Sequence, residues 1–145
     1  MKTRHVLLFI AAIGAARLAL SERQHRQRLA VEAEPMHQQW IKELVENPET
    51  LARWTPGDTS PEEYGPLLHA NSIISQVSVR FHAGLIDRAS LREQARCLME
   101  RDIVRAYWKR FGGFREAEAV DRKDEVLNTI FSDEYAAVAD EVLAA

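Results

Sequence analysis

Near the start of the chain, apolar residues form one continuous run. Along the rest of the chain they recur at helical spacing. The run covers residues 6–16, VLLFIAAIGAA, and resumes at 18–20 after a single arginine. From residue 35 onward, apolar residues return every third or fourth position, a pattern typical of helices that bury one face. The sequence therefore predicts an all-α protein whose first helix carries an apolar segment.

Helix-breaking residues divide the chain after that first helix. Pro35 is expected to begin a new helix, because proline is favoured in a first helical turn, and Asn47-Pro48 is expected to end it. A short turn of helix is predicted over 49–54. The stretch 55–60, TPGDTS, combines Pro, Gly and hydroxyl residues and predicts a loop between two helical halves.

The second half contains the longest apolar stripe. Residues 61–83 predict a helix that starts after the capping residue Ser60 and ends at Gly84. Its apolar residues recur at alternating spacings of three and four, so one full face is expected to be buried and the helix to be the central one. Asp87 or Ser90 is expected to cap the next helix.

The last third of the chain predicts further helices. Asp102 is expected to cap a helix that ends at Gly112-Gly113, and two more apolar faces follow, near 126–131 and 135–142. Together these elements predict an irregular bundle of about five to seven helices.

Charge is distributed unevenly along the chain. The 145 residues carry a formal net charge of −3, but residues 1–30 hold six basic residues against one acidic residue, and residues 113–145 hold three against nine. The nearly balanced total therefore conceals a polarised chain. We interpret residues 1–34 as an apolar and basic N-terminal element and residues 35–145 as the helical domain.

The N-terminal apolar run admits three interpretations. A helix over residues 6–20 would be about 22 Å long, short for a bilayer core of about 30 Å, which favours a short or tilted membrane anchor. Alternatively, the helix packs in a core or an oligomer interface, or it is a secretory signal peptide cleaved near Ala19-Leu20-Ser21. The residues predicted to serve membrane association or assembly are Val6, Leu7, Leu8, Phe9, Ile10, Ile13, Leu18 and Leu20.

The arginines bear on location and partners. Four arginines follow the apolar run and only Lys2 and Arg4 precede it, which favours a domain on the cytoplasmic side of a membrane. The alternatives are a soluble cytoplasmic protein or one secreted after signal cleavage. The expected partners are a membrane surface or a short membrane insertion, an unknown protein, or a second copy of the chain. Nucleic acid is not expected, because the basic stretch 21–28 contains no aromatic residue for base stacking.

Residues that commonly carry catalysis or bind metals are dispersed. The five histidines form no pair at i, i+3 or i+4, and the chain contains no HExxH, GxSxG or phosphate-loop motif. Cys97 is the only cysteine, which excludes an intrachain disulfide, and its place in a helical stripe predicts a small buried side chain. We therefore predict no catalytic, cofactor-binding or metal site and no cofactor.

Polar residues on the central helix are the first candidates for ligand contact. They would line a pocket between helices or form interhelical hydrogen bonds, because they lie within or beside its apolar stripe. These candidates are His69, Asn71, Gln76 and His82.

A basic-aromatic group further along the chain is the second candidate. It would bind lipid headgroups or an acidic partner if one aromatic ring reached the surface, and otherwise it is a packed tryptophan with flanking solvated cations. Its members are Arg105, Tyr107, Trp108 and Lys109.

Residues 84–110 contain the segments GLID, LREQARCLME and VRAYWKR. This stretch resembles a family of small, uncharacterised actinobacterial proteins in which a hydrophobic N-terminal segment precedes a helical domain with a Tyr-Trp pair near basic residues. The resemblance implies a helical, membrane-proximal domain and carries no catalytic residues. The apolar segment departs from the pattern because it is short and interrupted by Arg17. The matching residues are Leu91, Arg92, Tyr107, Trp108 and Arg110.

These observations predict a non-enzymatic, membrane-associated helical protein with an interaction or regulatory role. The missing catalytic constellation and the basic, apolar N-terminus favour this prediction. The alternative is a small helical enzyme or ligand-binding protein of specialised metabolism, with an apolar pocket between helices.

Overall fold

A computed structural model describes the backbone of residues 2–144 and the side chains of residues 12–29 and 32–139. The described backbone forms six helices and no strand, which confirms the predicted all-α class. The helices are α1 (Lys2–Glu46), α2 (Pro48–Trp54), α3 (Pro61–His82), α4 (Arg88–Met99), α5 (Asp102–Ala117) and α6 (Arg122–Ala144).

Capping side chains start three of these helices, at Ser60 and Asp87 as the sequence predicts and also at Asn47, which the sequence predicts only as a helix end. The cap predicted at Asp102 is wrong, because Arg101 precedes α5 without a side-chain cap bond. Side-chain oxygens of Asn47, Ser60 and Asp87 accept hydrogen bonds from backbone N–H groups three residues later, which satisfies donors that a helix start leaves free. Gly84 follows α3 with a φ of 72°, a left-handed conformation that favours glycine. The predicted loop between α2 and α3 is also present.

The helix break predicted at Pro35 is wrong, because α1 continues through this residue. An interior proline removes one backbone hydrogen bond and costs roughly 3 kcal/mol. Contacts with α3 and with Ala83, the residue that follows α3, support α1 on both sides of Pro35. Gln27 donates to the carbonyl oxygen of Ala83 before the proline, and Ile41 is buried after it.

The helix end predicted at Gly112-Gly113 is also wrong, because α5 continues to Ala117. Gly112 is buried in the interior of this helix, directly beneath the indole ring of Trp108. Gly112 therefore makes room for the large side chain of Trp108 and does not end the helix. The two apolar faces predicted after it belong to one helix, α6.

Helix α3 lies at the centre of the bundle, as its apolar stripe predicts. It contacts α1 and α2 as well as α4, α5 and α6, while α4 and α5 also pack against α6. The main core lies among α3, α4, α5 and α6, and none of the described side chains of α1 belongs to it. The core residues of α3 are Leu67, Ala70, Ile74, Val77 and Phe81.

The N-terminal part of α1 differs from the rest of the bundle. Every described side chain from residue 12 to residue 26 is exposed, whereas Ile41 and Leu44 near the end of α1 are buried. Among the residues described here, no helix is long and apolar enough to cross a membrane. Of the predicted membrane or assembly residues, Ile13, Leu18 and Leu20 are exposed. The others lie outside the described side chains: Val6, Leu7, Leu8, Phe9 and Ile10.

Candidate functional site

An open groove of about 780 Å³ lies between α1, α2 and α3. The surface of the groove is mainly apolar, with polar side chains of α1 and α3 among its lining residues. Its volume falls within the range of about 300–1,000 Å³ that is usual for small-molecule sites. Apolar residues of the lining include Ile41, Val45, Leu51, Pro66 and Ile73.

The four polar residues predicted for such a pocket do not converge. His69 and Gln76 line the groove, because a separation of seven residues places them on one face of α3. Asn71 faces α5 instead, where its side chain bonds to Tyr107. His82 lies at the end of α3 and borders a different cleft, beside α1 and Lys123. The prediction that all four residues line one pocket is therefore wrong.

Asn71 belongs to a hydrogen-bonded network between α3 and α5. Its Oδ1 atom accepts from the hydroxyl of Tyr107 and from Arg115 Nη2, each at 2.7 Å. The Nε of Arg115 donates to the hydroxyl oxygen of Tyr107 at 2.8 Å, and its guanidinium lies 5.6 Å from the centre of that ring. Because these polar groups satisfy one another, the network joins two helices and serves as structural support.

The predicted basic-aromatic surface patch is wrong. Tyr107 and Trp108 are both buried, and the indole N–H of Trp108 donates to Ser132 Oγ at 3.2 Å. Arg105 donates to the carbonyl oxygen of Met99 and pairs with Asp102. Lys109 is exposed, but neither Tyr107 nor Trp108 presents its ring at the surface beside it. Both rings fit inside the core because Tyr107 faces α3 while Trp108 faces α6.

The burial predicted for Cys97 is also wrong, because its side chain is exposed. Helix α4 buries Leu91, Ala95 and Met99, which recur every fourth residue. Cys97 lies two residues from Ala95 and therefore points about 160° away from it around the helix.

A histidine and two carboxylates meet where the end of α3 approaches the start of α6. The Nε2 atom of His82 lies 3.1 Å from Asp124 Oδ1 and 3.6 Å from Asp121 Oδ1. Asp121 Oδ1 also accepts hydrogen bonds from the backbone N–H groups of Asp124 and Lys123. These backbone hydrogen bonds from Asp124 and Lys123 stabilise the charged carboxylate and lower the pKa of Asp121.

Sequence reasoning identified His82 as a polar candidate but did not connect it to the acidic residues. Asp121 and Asp124 lie among other charged residues at the start of α6, a pattern that usually forms a solvated helix surface. Only the packing of α3 and α6 brings the three side chains together, so no spacing rule signals the cluster.

The sequence profile of DUF6082, a family of unknown function, matches residues 5–144. This match confirms the expected similarity to an uncharacterised family. Neither the curated proteins nor the solved structures show a significant match to the chain.

Proposed function

We propose that this chain, which belongs to the DUF6082 family, is a non-enzymatic interaction protein that binds an anionic membrane surface. Residues 12–26 of α1, the exposed segment, would provide the contact. The observation that carries the proposal is the exposure of every side chain in this segment, although most of its first half is apolar. Such a surface is available to a partner.

The distribution of apolar residues favours lipid over a second protein. Between residues 12 and 20, Arg17 is the only charged residue, so the helix is apolar around nearly its whole circumference. A helix of this kind is normally buried on all sides. The bundle leaves Leu18 and Leu20 exposed at 74% and 59%. Lipid can surround such a helix, whereas one partner helix covers a single face.

Charge in the exposed segment complements anionic lipid. Arg17, Arg23 and Arg26 are exposed, and the segment contains one acidic residue, Glu22, which pairs with Arg26. A basic side chain near an anionic membrane contributes about 1 kcal/mol to binding. Two copies packed through this segment would instead bring arginines together. The arginines also favour a helical body on the cytoplasmic side, by the positive-inside rule.

Replacement of Leu18 by glutamate tests the membrane proposal. We expect the full chain to sediment with phosphatidylserine-containing vesicles and the Leu18→Glu variant to bind them at least about tenfold more weakly. Burial of one leucine side chain contributes about 1.5–3 kcal/mol, and the new carboxylate is repelled by anionic headgroups. Vesicle co-sedimentation over a range of lipid concentrations measures the change.

Leu85→Glu is the matched control for this experiment. Leu85 is 63% exposed in the turn after α3, so its replacement should leave vesicle binding unchanged. Equal binding of the two variants, or no binding by the unmodified chain, would contradict the proposal. Light scattering of the unmodified chain and of Leu18→Glu would reveal assembly through the same segment, as a mass that is larger for the unmodified chain.

The groove between α1, α2 and α3 supports a second candidate function, the binding of a small apolar molecule. Its apolar lining would enclose the body of the ligand, and His69 and Gln76 would bond to one polar group. This function does not require a reaction. It also does not exclude membrane binding, because the groove lies beside the end of α1 opposite the exposed segment.

Filling the groove tests this second candidate. We expect Ile73→Trp to weaken severalfold the binding of an apolar fluorescent dye such as anilinonaphthalene sulfonate, because the larger ring would occupy part of the groove. Fluorescence titration measures the affinity. Val120→Trp is the control, since Val120 is 89% exposed outside the groove. A dye affinity that Ile73→Trp leaves unchanged would exclude the groove as the dye site.

A further inference from the structure

We propose that His82, Asp121 and Asp124 form a binding site for one divalent transition-metal ion, with Zn²⁺ as the best fit. The three residues come from the end of α3 and the start of α6. One potential ligand atom from each lies within 4.8 Å of the other two. His82 borders a cleft that Glu22 and Arg26 of the exposed segment also line, but the three proposed ligands lie outside that segment, so the site does not depend on membrane binding.

The orientation of the His82 ring is the first argument for the site. Its Nδ1 atom lies 2.9 Å from the carbonyl oxygen of Ser78, which can only accept, so Nδ1 carries a hydrogen. In the neutral ring, Nε2 then presents a lone pair toward Asp121 and Asp124. Three electron-rich atoms in close contact require a proton or a cation between them. A histidine held by a backbone carbonyl at one nitrogen is the usual arrangement beside a bound metal.

The distances provide the second argument. Zinc binds nitrogen at about 2.0–2.1 Å and carboxylate oxygen at about 2.0–2.2 Å, so adjacent ligand atoms in a tetrahedral site are roughly 3.3–3.5 Å apart. The separations of Nε2 from the two Oδ1 atoms, 3.1 and 3.6 Å, are close to this range. Small side-chain movements would therefore suffice to enclose an ion.

Backbone N–H groups at the start of α6 and just before it orient both carboxylates before any ion binds. Asp124 Oδ2 accepts from the backbone N–H of Val120 at 3.1 Å, which leaves Oδ1 directed toward His82. Asp121 is held by the N–H groups of Lys123 and Asp124 through Oδ1, and its second oxygen has no described bond. A site with prepositioned ligands loses less conformational entropy when it binds an ion.

Local charge favours a divalent cation. Two carboxylates and a neutral imidazole carry a charge of about −2, which one divalent ion would balance. Two of the positive groups that line the cleft beside His82 have other partners: Lys123 Nζ donates to the carbonyl oxygen of His82 at 2.6 Å, and Arg26 pairs with Glu22. Imidazole with carboxylates suits Zn²⁺ better than Ca²⁺ or Mg²⁺, which prefer oxygen ligands.

Titration of the full chain with Zn²⁺ tests the site. After treatment with a chelator, isothermal titration calorimetry should show one His82-dependent Zn²⁺ ion per chain, and His82→Gln and Asp124→Asn should each weaken that affinity at least about tenfold. Zn²⁺ should also raise the Tm of the unmodified chain, because the ion joins α3 to α6 in the folded state only. His69→Gln is the control, since this histidine lies on the same helix outside the cluster.

Two further measurements keep the result unambiguous. Far-UV circular dichroism establishes that each variant is folded, and the visible absorption bands of Co²⁺ bound at the site, which report its coordination geometry, should disappear in His82→Gln. Zinc affinity that is equal in the unmodified chain and His82→Gln would overturn the proposal. Absence of binding would overturn it too.

Discussion

Replacement of Phe131 by alanine is expected to lower the free energy of unfolding by about 3–5 kcal/mol. Phe131 on α6 is completely buried, and its ring stacks on Trp108 of α5 with the ring centres 5.1 Å apart. The substitution removes apolar contacts with the core and leaves a cavity that the surrounding helices fill only in part. Equilibrium unfolding in urea, followed by far-UV circular dichroism, measures the loss.

Phe114→Ala is the matched control for this prediction. Phe114 lies on α5 but is 61% exposed and does not belong to the core, so its replacement should change stability by no more than about 0.5 kcal/mol. If Phe131→Ala lost less than about 1 kcal/mol, or if both variants lost the same amount, the packing between α5 and α6 described here would be incorrect.

Two adjacent glycines in α5 are expected to respond to alanine with opposite signs. At Gly112, a Cβ atom would lie 2.9 Å from Nε1 of Trp108, closer than atoms normally approach. The indole cannot easily move away, because it stacks on Phe131 and bonds to Ser132. We therefore expect Gly112→Ala to destabilise the protein by about 2 kcal/mol, despite the higher helix propensity of alanine.

Gly113→Ala should instead stabilise the protein by about 0.5–1 kcal/mol. No heavy atom lies within 4 Å of the position that its Cβ would occupy, so the lower backbone entropy of alanine in the unfolded chain decides the sign. The urea concentration at the midpoint of unfolding should therefore be lower for Gly112→Ala, and higher for Gly113→Ala, than for the unmodified protein. Stabilisation by both substitutions would show that Trp108 does not pack on Gly112.

Two glycines, Gly84 and Gly112, show where prediction from sequence succeeds and where it does not. Gly84 was expected to end a helix and does so, with a positive φ that the chain reversal requires. Gly112 is the same residue type, but its neighbour Trp108 occupies the space above it. Pro35 was similarly expected to begin a helix, yet support from α3 keeps α1 continuous. Local preference is decisive only where no tertiary contact opposes it.

The candidate sites were less predictable than the helices. His69 and Gln76 share the groove because their separation along one helix places them on one face. The same argument could have separated Asn71 from His69, since a spacing of two residues places side chains on opposing faces. His82 and Asp124 lie on different helices, and no spacing within either helix indicates their contact.

The sequence by itself determined the helical class, the side-chain caps at Ser60 and Asp87 and the buried stripe of α3. These features depend on residues within a few positions of one another, whose geometry in a helix is known in advance. The tertiary structure alone decided the continuity of α1 and α5, the burial of both Tyr107 and Trp108, the groove, and the cluster of His82 with Asp121 and Asp124. Each of these depends on the packing between helices, because the contacting residues are distant in the chain or a local preference is overridden by a neighbour.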